Sequence, residues 1–235
     1  MVQINQAQRE LSLKVVYYGP ALSGKTTNLM ALHERVNSEV RGRLLTVDTK
    51  DDRTLFFDML PVYFRTASDL KVKIKLYTVP GQVMHASTRR LVLQGADAVA
   101  FIADAQKSAA QANNQAWRNM VEDMRGNGLD PESVPLVIQF NKTDLPGAQT
   151  DEEIAAVAQK GREPVYKSVA VRGEGVIETL HGLLQLTFRD LDRKFGIRTK
   201  FRLTEQEFLG EIFRNMDVQG AQVAPGARAT GAAGR

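Results

Sequence analysis

The chain of 235 residues predicts an α/β fold: a mostly parallel central sheet flanked by helices, with a helical extension at the C-terminus. Three observations carry this expectation. Short β-rich runs alternate with amphipathic helical stretches from about residue 13 to residue 195. Two of those runs, Ala98-Val99-Ala100-Phe101-Ile102 and Pro135-Leu136-Val137-Ile138-Gln139-Phe140, are almost wholly apolar, as strands covered on both faces are. Three turns, at Gly19–Thr26, Pro80-Gly81-Gln82 and Asn141–Asp144, each follow a predicted strand, so they should meet at the carboxyl edge of the sheet, where such folds bind ligands.

Taken in order, residues 1–10 are polar and expected to be a loose lead-in. Leu13–Tyr18 reads as the first strand, and Thr27–Val36 places Leu29, Met30, Leu32 and Val36 at helical spacing. Arg41–Asp52 reads as a mobile loop that can hold a short strand at Leu44–Val47. Leu55–Leu60 and Val72–Tyr77 are strand candidates, separated by Pro61 and the region Thr66–Asp69; the second alternates apolar and polar residues and should have one wet face. A helix is expected through Arg89–Leu93, then the Ala98–Ile102 strand, then a helix over Gln106–Arg125 with Trp117, Met120, Val121 and Met124 on one face, Trp117 and the two methionines in the core. The Pro135–Phe140 strand, a helix at Glu152–Lys160 and a short strand at Val165–Val169 follow. Val176, Leu180, Leu183, Leu184, Phe188, Leu191 and Phe195 stripe a long helix. Thr204-Glu205-Gln206-Glu207 is a capping box ahead of Phe208, Leu209, Ile212, Phe213 and Met216. The division expected is a main domain over 1–200, an amphipathic helix over 201–217, and a disordered tail over 218–235, rich in Gly and Ala.

Composition removes several classes of function. There is no cysteine, so disulfides, thiolate metal sites and cysteine nucleophiles are excluded, in keeping with a reducing cytoplasm. No apolar run approaches the ~20 residues of a membrane span, and the N-terminus lacks a signal-peptide pattern. A net charge of +4 is too mild to indicate a nucleic-acid partner. His33, His85 and His181 are isolated from one another and from nucleophiles, which favours surface or packing roles.

Gly19-Pro20-Ala21-Leu22-Ser23-Gly24-Lys25-Thr26 fits G-x-x-x-x-G-K-[ST] between a strand and a helix, the context a phosphate-binding loop requires. The backbone of Gly19, Ala21, Leu22, Ser23, Gly24, Lys25, Thr26 and Thr27 is expected to line phosphate oxygens, aided by the helix N-terminus. Lys25 would reach the β- and γ-phosphates and the Thr26 hydroxyl would bind Mg²⁺. Asn141-Lys142-Thr143-Asp144 matches Asn-Lys-x-Asp, a guanine-reading motif. The Asp144 carboxylate would accept from the ring N1–H and the exocyclic amine; adenine lacks that donor pair and would leave the carboxylate unpaired.

With these motifs, Asp52-Arg53-Thr54-Leu55-Phe56-Phe57-Asp58 and Tyr77-Thr78-Val79-Pro80-Gly81-Gln82-Val83, the chain resembles the Ras-like small GTPases, and within them the bacterial MglA family of gliding motility and cell polarity. The resemblance spans about residues 10–195. It implies GTP and GDP as ligands, Mg²⁺ as cofactor, slow hydrolysis of GTP, and a cytoplasmic protein with a polar distribution. It implies that Thr54 senses the γ-phosphate and Mg²⁺, that Gly81 offers its N–H to the γ-phosphate, and that Gln82 positions the attacking water. It assigns Arg53 as an arginine finger supplied in cis, the alternative being a solvated loop arginine. It places the last nucleotide loop at Ser168-Val169-Ala170, with the Ala170 N–H near the guanine oxygen. It also implies a roadblock-type activating partner, MglB-like, that arranges Arg53 and Gln82, and effectors whose identity stays open.

Two departures from the wider Ras-like pattern matter. Thr78 stands where an aspartate usually holds Mg²⁺ through water; Asp58 is the candidate to compensate, against the reading of a strand-surface carboxylate. Ala21 stands where glycine is usual, and its methyl would restrict an arginine brought by a partner. Beyond the resemblance, Arg193, Lys194, Arg198, Lys200 and Arg202 precede the last apolar helix. That helix is read as docked on the domain; the alternative is a peripheral contact with a membrane or partner.

Overall fold

The computed structural model describes residues 2–47, 57–81 and 86–216. In chain order these form β1 (Gln3–Asn5), β2 (Glu10–Tyr18), α1 (Lys25–Arg35), β3 (Leu45–Val47), β4 (Phe57–Arg65), β5 (Lys71–Thr78), α2 (Ala86–Leu93), β6 (Ala98–Asp104), α3 (Ala110–Gly126), β7 (Leu136–Asn141), α4 (Asp151–Lys160), β8 (Val165–Ser168), α5 (Val176–Phe195), α6 (Ile197–Phe201) and α7 (Glu205–Arg214). The strands lie in the order β3-β4-β5-β2-β6-β7-β8, with β1 added beside β2. β5, β2, β6, β7 and β8 run parallel; β3 and β4 pair antiparallel at one end. The fold is therefore the mostly parallel α/β sheet that the sequence predicts.

The two-residue period of a strand divides the core into two layers. In β6, Ala98, Ala100 and Ile102 join the layer under α1 and α5, while Val99, Phe101 and Ala103 join the layer under α2 and α3. Its continuous apolar run thus serves two cores at once. Trp117 of α3 meets the Phe101 ring edge-on, with centroids 5.1 Å apart.

Two sequence-based expectations fail here. Residues 1–10 are not a loose lead-in: Gln3–Asn5 pairs antiparallel with Glu10–Ser12. An edge strand of this kind is held by backbone bonds, which polar side chains do not reveal. Nor does Pro61 end a strand, since β4 runs through it from Phe57 to Arg65. In an extended chain the N and C=O of one residue point the same way. The Pro61 carbonyl faces outward and accepts from Gly42 N at 2.8 Å, so the missing N–H also faces outward and no bond to β5 is lost. The turn at Thr66–Asp69 does separate β4 from β5, closed by Thr66 N donating to Leu70 O at 3.0 Å.

The last helix shares the main core. Phe208, Leu209, Ile212 and Met216 are buried, and the Phe208 ring lies 5.2 Å from Phe188 of α5 and 5.9 Å from Phe64 of β4. Thr204 caps α7 by accepting from Glu207 N, while Glu207 accepts from Thr204 N at 2.8 Å. The tail expected over 218–235 lies outside the described residues. Among the described residues no helix is long and apolar enough to cross a membrane.

Candidate functional site

The loop expected to bind phosphate leaves β2 after Tyr18 and enters α1 at Lys25. Gly24, the residue before that helix, has φ of 97°, and a Cβ there would lie 2.1 Å from Asn141 Nδ2. Only glycine meets both demands. Lys25 is 7% exposed and donates to the carbonyls of Gly19 at 3.0 Å and Pro20 at 2.6 Å. Burial pulls its pKa down to about 8, and the Asp58 carboxylate opposes that shift. A buried ammonium of this kind is stabilised by anionic charge brought close to it. Gly81 closes over the loop: a Cβ on it would sit 2.3 Å from Ala21 N. Two glycines therefore keep backbone and side-chain atoms near a cradle that larger residues would fill, and the cradle fits a phosphate.

At the β6–β7–β8 end, Asn141 joins three loops. Its Nδ2 donates to Ser23 O in the phosphate loop at 2.9 Å. Its Oδ1 accepts from Ser168 Oγ at 3.0 Å and from Ala170 N at 2.9 Å. Strand register sets this up, because Asn141 stands opposite Asp104 on one side and Ser168 on the other. An amide carries both donors and an acceptor, so one side chain satisfies partners on two elements. Asn141 is thus a brace, and the Ala170 N–H expected at the guanine oxygen is engaged here by Asn141.

The neighbouring residues have partners that the sequence reading did not name. Lys142, in the left-handed region at φ 66°, donates to Asp104 Oδ2 at 2.5 Å. Asp104 also accepts from Gln106 N through Oδ1 at 3.0 Å. One signal could have found it: Asp104 is the lone charge ending an otherwise apolar strand. Asp144 accepts from Arg172 Nη1 at 3.3 Å, and Arg172 is itself held by Glu174 at 2.8 Å. Val169 N donates to Glu174 O at 3.0 Å, which closes the loop that carries Ala170.

At the β3–β4–β5 end the centre is Asp58, 6% exposed and so not a strand-surface carboxylate. It accepts from Thr26 Oγ1 at 2.6 Å, Thr46 Oγ1 at 2.9 Å and Thr78 Oγ1 at 3.0 Å. Thr78 Oγ1 accepts in turn from Asp58 N at 2.9 Å. Three hydroxyls from α1, β3 and β5 thus converge on one carboxylate. Hard oxygen donors with a single anion suit Mg²⁺, which takes one or two carboxylates together with substrate phosphates and water. Among the described residues there is no cluster of three His, Cys, Asp or Glu side chains that would form an all-protein cage. Thr46 was not legible, since its place opposite Asp58 follows from register. Arg53, Thr54 and Gln82 lie outside the described residues.

No protein-family model matches the chain. It is 41% identical over 190 residues, 81% of this chain and 97% of the relative, to the Mutual gliding-motility protein MglA of Myxococcus xanthus (strain DK1622).

Proposed function

The chain belongs to the MglA family of Ras-like small GTPases, and from that premise we propose that it is a switch that binds GTP with Mg²⁺, hydrolyses it to GDP, and controls gliding motility or cell polarity through nucleotide-dependent protein binding. The observation that supports this best is the bracing by Asn141. It ties the turn that ends in Asp144 to the phosphate loop through Ser23 and to the Ser168–Ala170 loop, so base and phosphate would be read by one connected unit.

In this reading Asp144 accepts from the guanine edge and excludes adenine by the cost of an unpaired carboxylate. The loop from Gly19 to Thr27 holds the phosphates, and Lys25 turns from the Gly19 and Pro20 carbonyls to the β- and γ-oxygens. Thr26, Asp58 and Thr54 would hold Mg²⁺, with the Thr78 hydroxyl orienting the Asp58 carboxylate. Mg²⁺ when bound would neutralise charge on the phosphates. Gly81 offers its N–H to the γ-phosphate, Gln82 positions the attacking water, and Arg53 spreads charge in the transition state, a role worth roughly 10³–10⁵ in rate. A roadblock-type activating protein would order Arg53 and Gln82.

Thr78 favours a second reading, a GTP-dependent scaffold with little hydrolysis, because a neutral hydroxyl replaces the usual carboxylate and is already bonded to Asp58. Phosphate release with GTP and Mg²⁺, with ATP as control and with and without a roadblock-type partner from the same genome, separates the two. GTP-specific release that the partner accelerates and Arg53→Ala abolishes supports the switch. Tight GTP binding with background release in every condition supports the scaffold.

A further inference from the structure

Among the described residues the helical layer on the α2–α3 side of the sheet stops short of β4. α3 packs on β6 and α4 on β8, whereas the helices against β4 and β5, namely α1 and α7, lie on the opposite side with the Val72, Ile74 and Leu76 core. Lys71, Lys73, Lys75 and Tyr77 alternate with those buried residues and so face the α2–α3 side, where Tyr77 packs against that core, Lys73 and Lys75 are half-buried and Lys71 is exposed. Register sets Tyr63 of β4 opposite Lys73, and Lys14 of β2 opposite Lys75.

The floor of this trough is cationic and aromatic. Lys73 Nζ lies 5.0 Å from the Tyr63 ring centroid and Lys14 Nζ 5.0 Å from the Tyr77 centroid. At its lower end Lys71 pairs with Glu10 at 3.5 Å and Arg65 with Asp69 at 2.8 Å. Lys73 and Lys75 have no carboxylate partner among the described residues. Like charges directly opposite on a sheet are destabilising, and Lys14 and Lys75 are such a pair. Burial holds the Lys14 ammonium below its ordinary pKa; Asp97 opposes this and Lys75 adds to it. An unfavourable charge pair on an open sheet face is relieved by an anionic partner.

The shape selects the partner. β4, β5 and the first half of β2 span roughly 10–14 Å at ~4.8 Å per strand, the width of one helix at about 10–12 Å. α2, on the β2 side of the trough, stands about one helix diameter above the sheet. Lys14 donates to the Gln94 carbonyl at the end of α2 at 2.8 Å, which marks that wall. A planar bilayer held off by α2 and parallel to the sheet would stay roughly 10 Å from the lysines, beyond the ~8 Å screening length at physiological salt. A helix lying in the trough reaches them. We propose that the trough floored by Tyr63, Lys73, Lys75 and Lys14 docks a partner protein's helix that carries a row of Asp or Glu side chains, completing the helical layer.

The test is fluorescence anisotropy with the full chain and a labelled amphipathic peptide of about eighteen residues bearing Glu along one face. The expected result is salt-sensitive binding that Lys73→Glu/Lys75→Glu weakens by about tenfold or more, and that the same variant regains for a peptide with Lys in place of Glu. Arg193→Glu/Lys194→Glu, which alters cations paired with Asp190 elsewhere, should leave binding unchanged. Unaltered thermal unfolding of the Lys73/Lys75 variant checks its fold. Equal weakening by both double variants would reduce the effect to net charge and overturn the proposal. So would binding of phosphatidylglycerol vesicles that depends on Lys73 and Lys75 without any binding of the peptide.

Discussion

At the β6–β7–β8 end of the sheet the loops are joined by an amide, Asn141, which donates to Ser23 and accepts from Ser168 and Ala170. At the β3–β4–β5 end the corresponding centre is a carboxylate, Asp58, which only accepts, and from three threonine hydroxyls. The difference sets what each end can exchange. Asn141 has both donor and acceptor, and its partners are protein atoms buried with it, so replacing any of them leaves an orphan. Asp58 can only accept, and a hydroxyl that donates to it can rotate to present its own lone pair to a cation. In the proposed switch the first end would be a fixed frame for base and phosphate; the second is chemically suited to take up a metal.

The largest expected effect tests the frame. Asp144→Asn should lower GDP affinity by about a hundredfold or more, because an amide offers donors where the guanine edge also donates. Affinity should return with a xanthine nucleotide, whose C2 oxygen accepts. Competition binding with both nucleotides checks this, and equal loss for both would mean that Asp144 does not read the base.

Next in size, Asn141→Ala removes one donor and one acceptor at a position 3% exposed and orphans Ser23 O, Ser168 Oγ and Ala170 N. Denaturant unfolding without nucleotide should show a loss of about 2–4 kcal/mol. A loss under about 1 kcal/mol would show that the loops do not depend on the brace and would dissolve the contrast between the two ends.

Lys25 gives the smallest effect and connects the two ends. Its pKa is lowered to about 8 in the folded chain, mainly by burial. Between about pH 8 and its ordinary value near 10.5 the unfolded chain binds more protons, so stability rises with pH across that window. A phosphate bound at Lys25 favours the ammonium, so binding above about pH 8 takes up a proton. GDP affinity should be flat from pH 6.5 to 7.5 and fall above about pH 8, by up to tenfold per pH unit. A flat profile to pH 9 would place the Lys25 charge outside phosphate recognition.

These contrasts also explain what could be read from the sequence. The Gly19–Thr26 turn between strand and helix and the Asn141–Asp144 turn were legible as structure because glycine, a following helix and a strand-ending polar turn are local chemistry. The brace was not: Ser23 and Ser168 lie far from Asn141 along the chain, and only register brings Ser168 opposite it. Asp58 could be singled out because Thr78 broke a pattern, whereas Thr46 lay in the short strand expected within the Arg41–Asp52 loop and only register sets it opposite Asp58. Pro61 misled because its effect depends on which side of the strand its missing N–H faces. Gln3–Asn5 misled because an edge strand is held by backbone groups that its side chains do not report.

The most direct test of the contrast is a Mg²⁺ titration of GTP binding by the wild-type chain and Asp58→Asn. The Mg²⁺ concentration for half-maximal GTP binding should rise about 10–100-fold in the variant, while the preference for GTP over ATP in excess Mg²⁺ stays unchanged. An unshifted Mg²⁺ dependence would contradict this, leaving Asp58 as a structural acceptor for three threonines and placing the metal elsewhere.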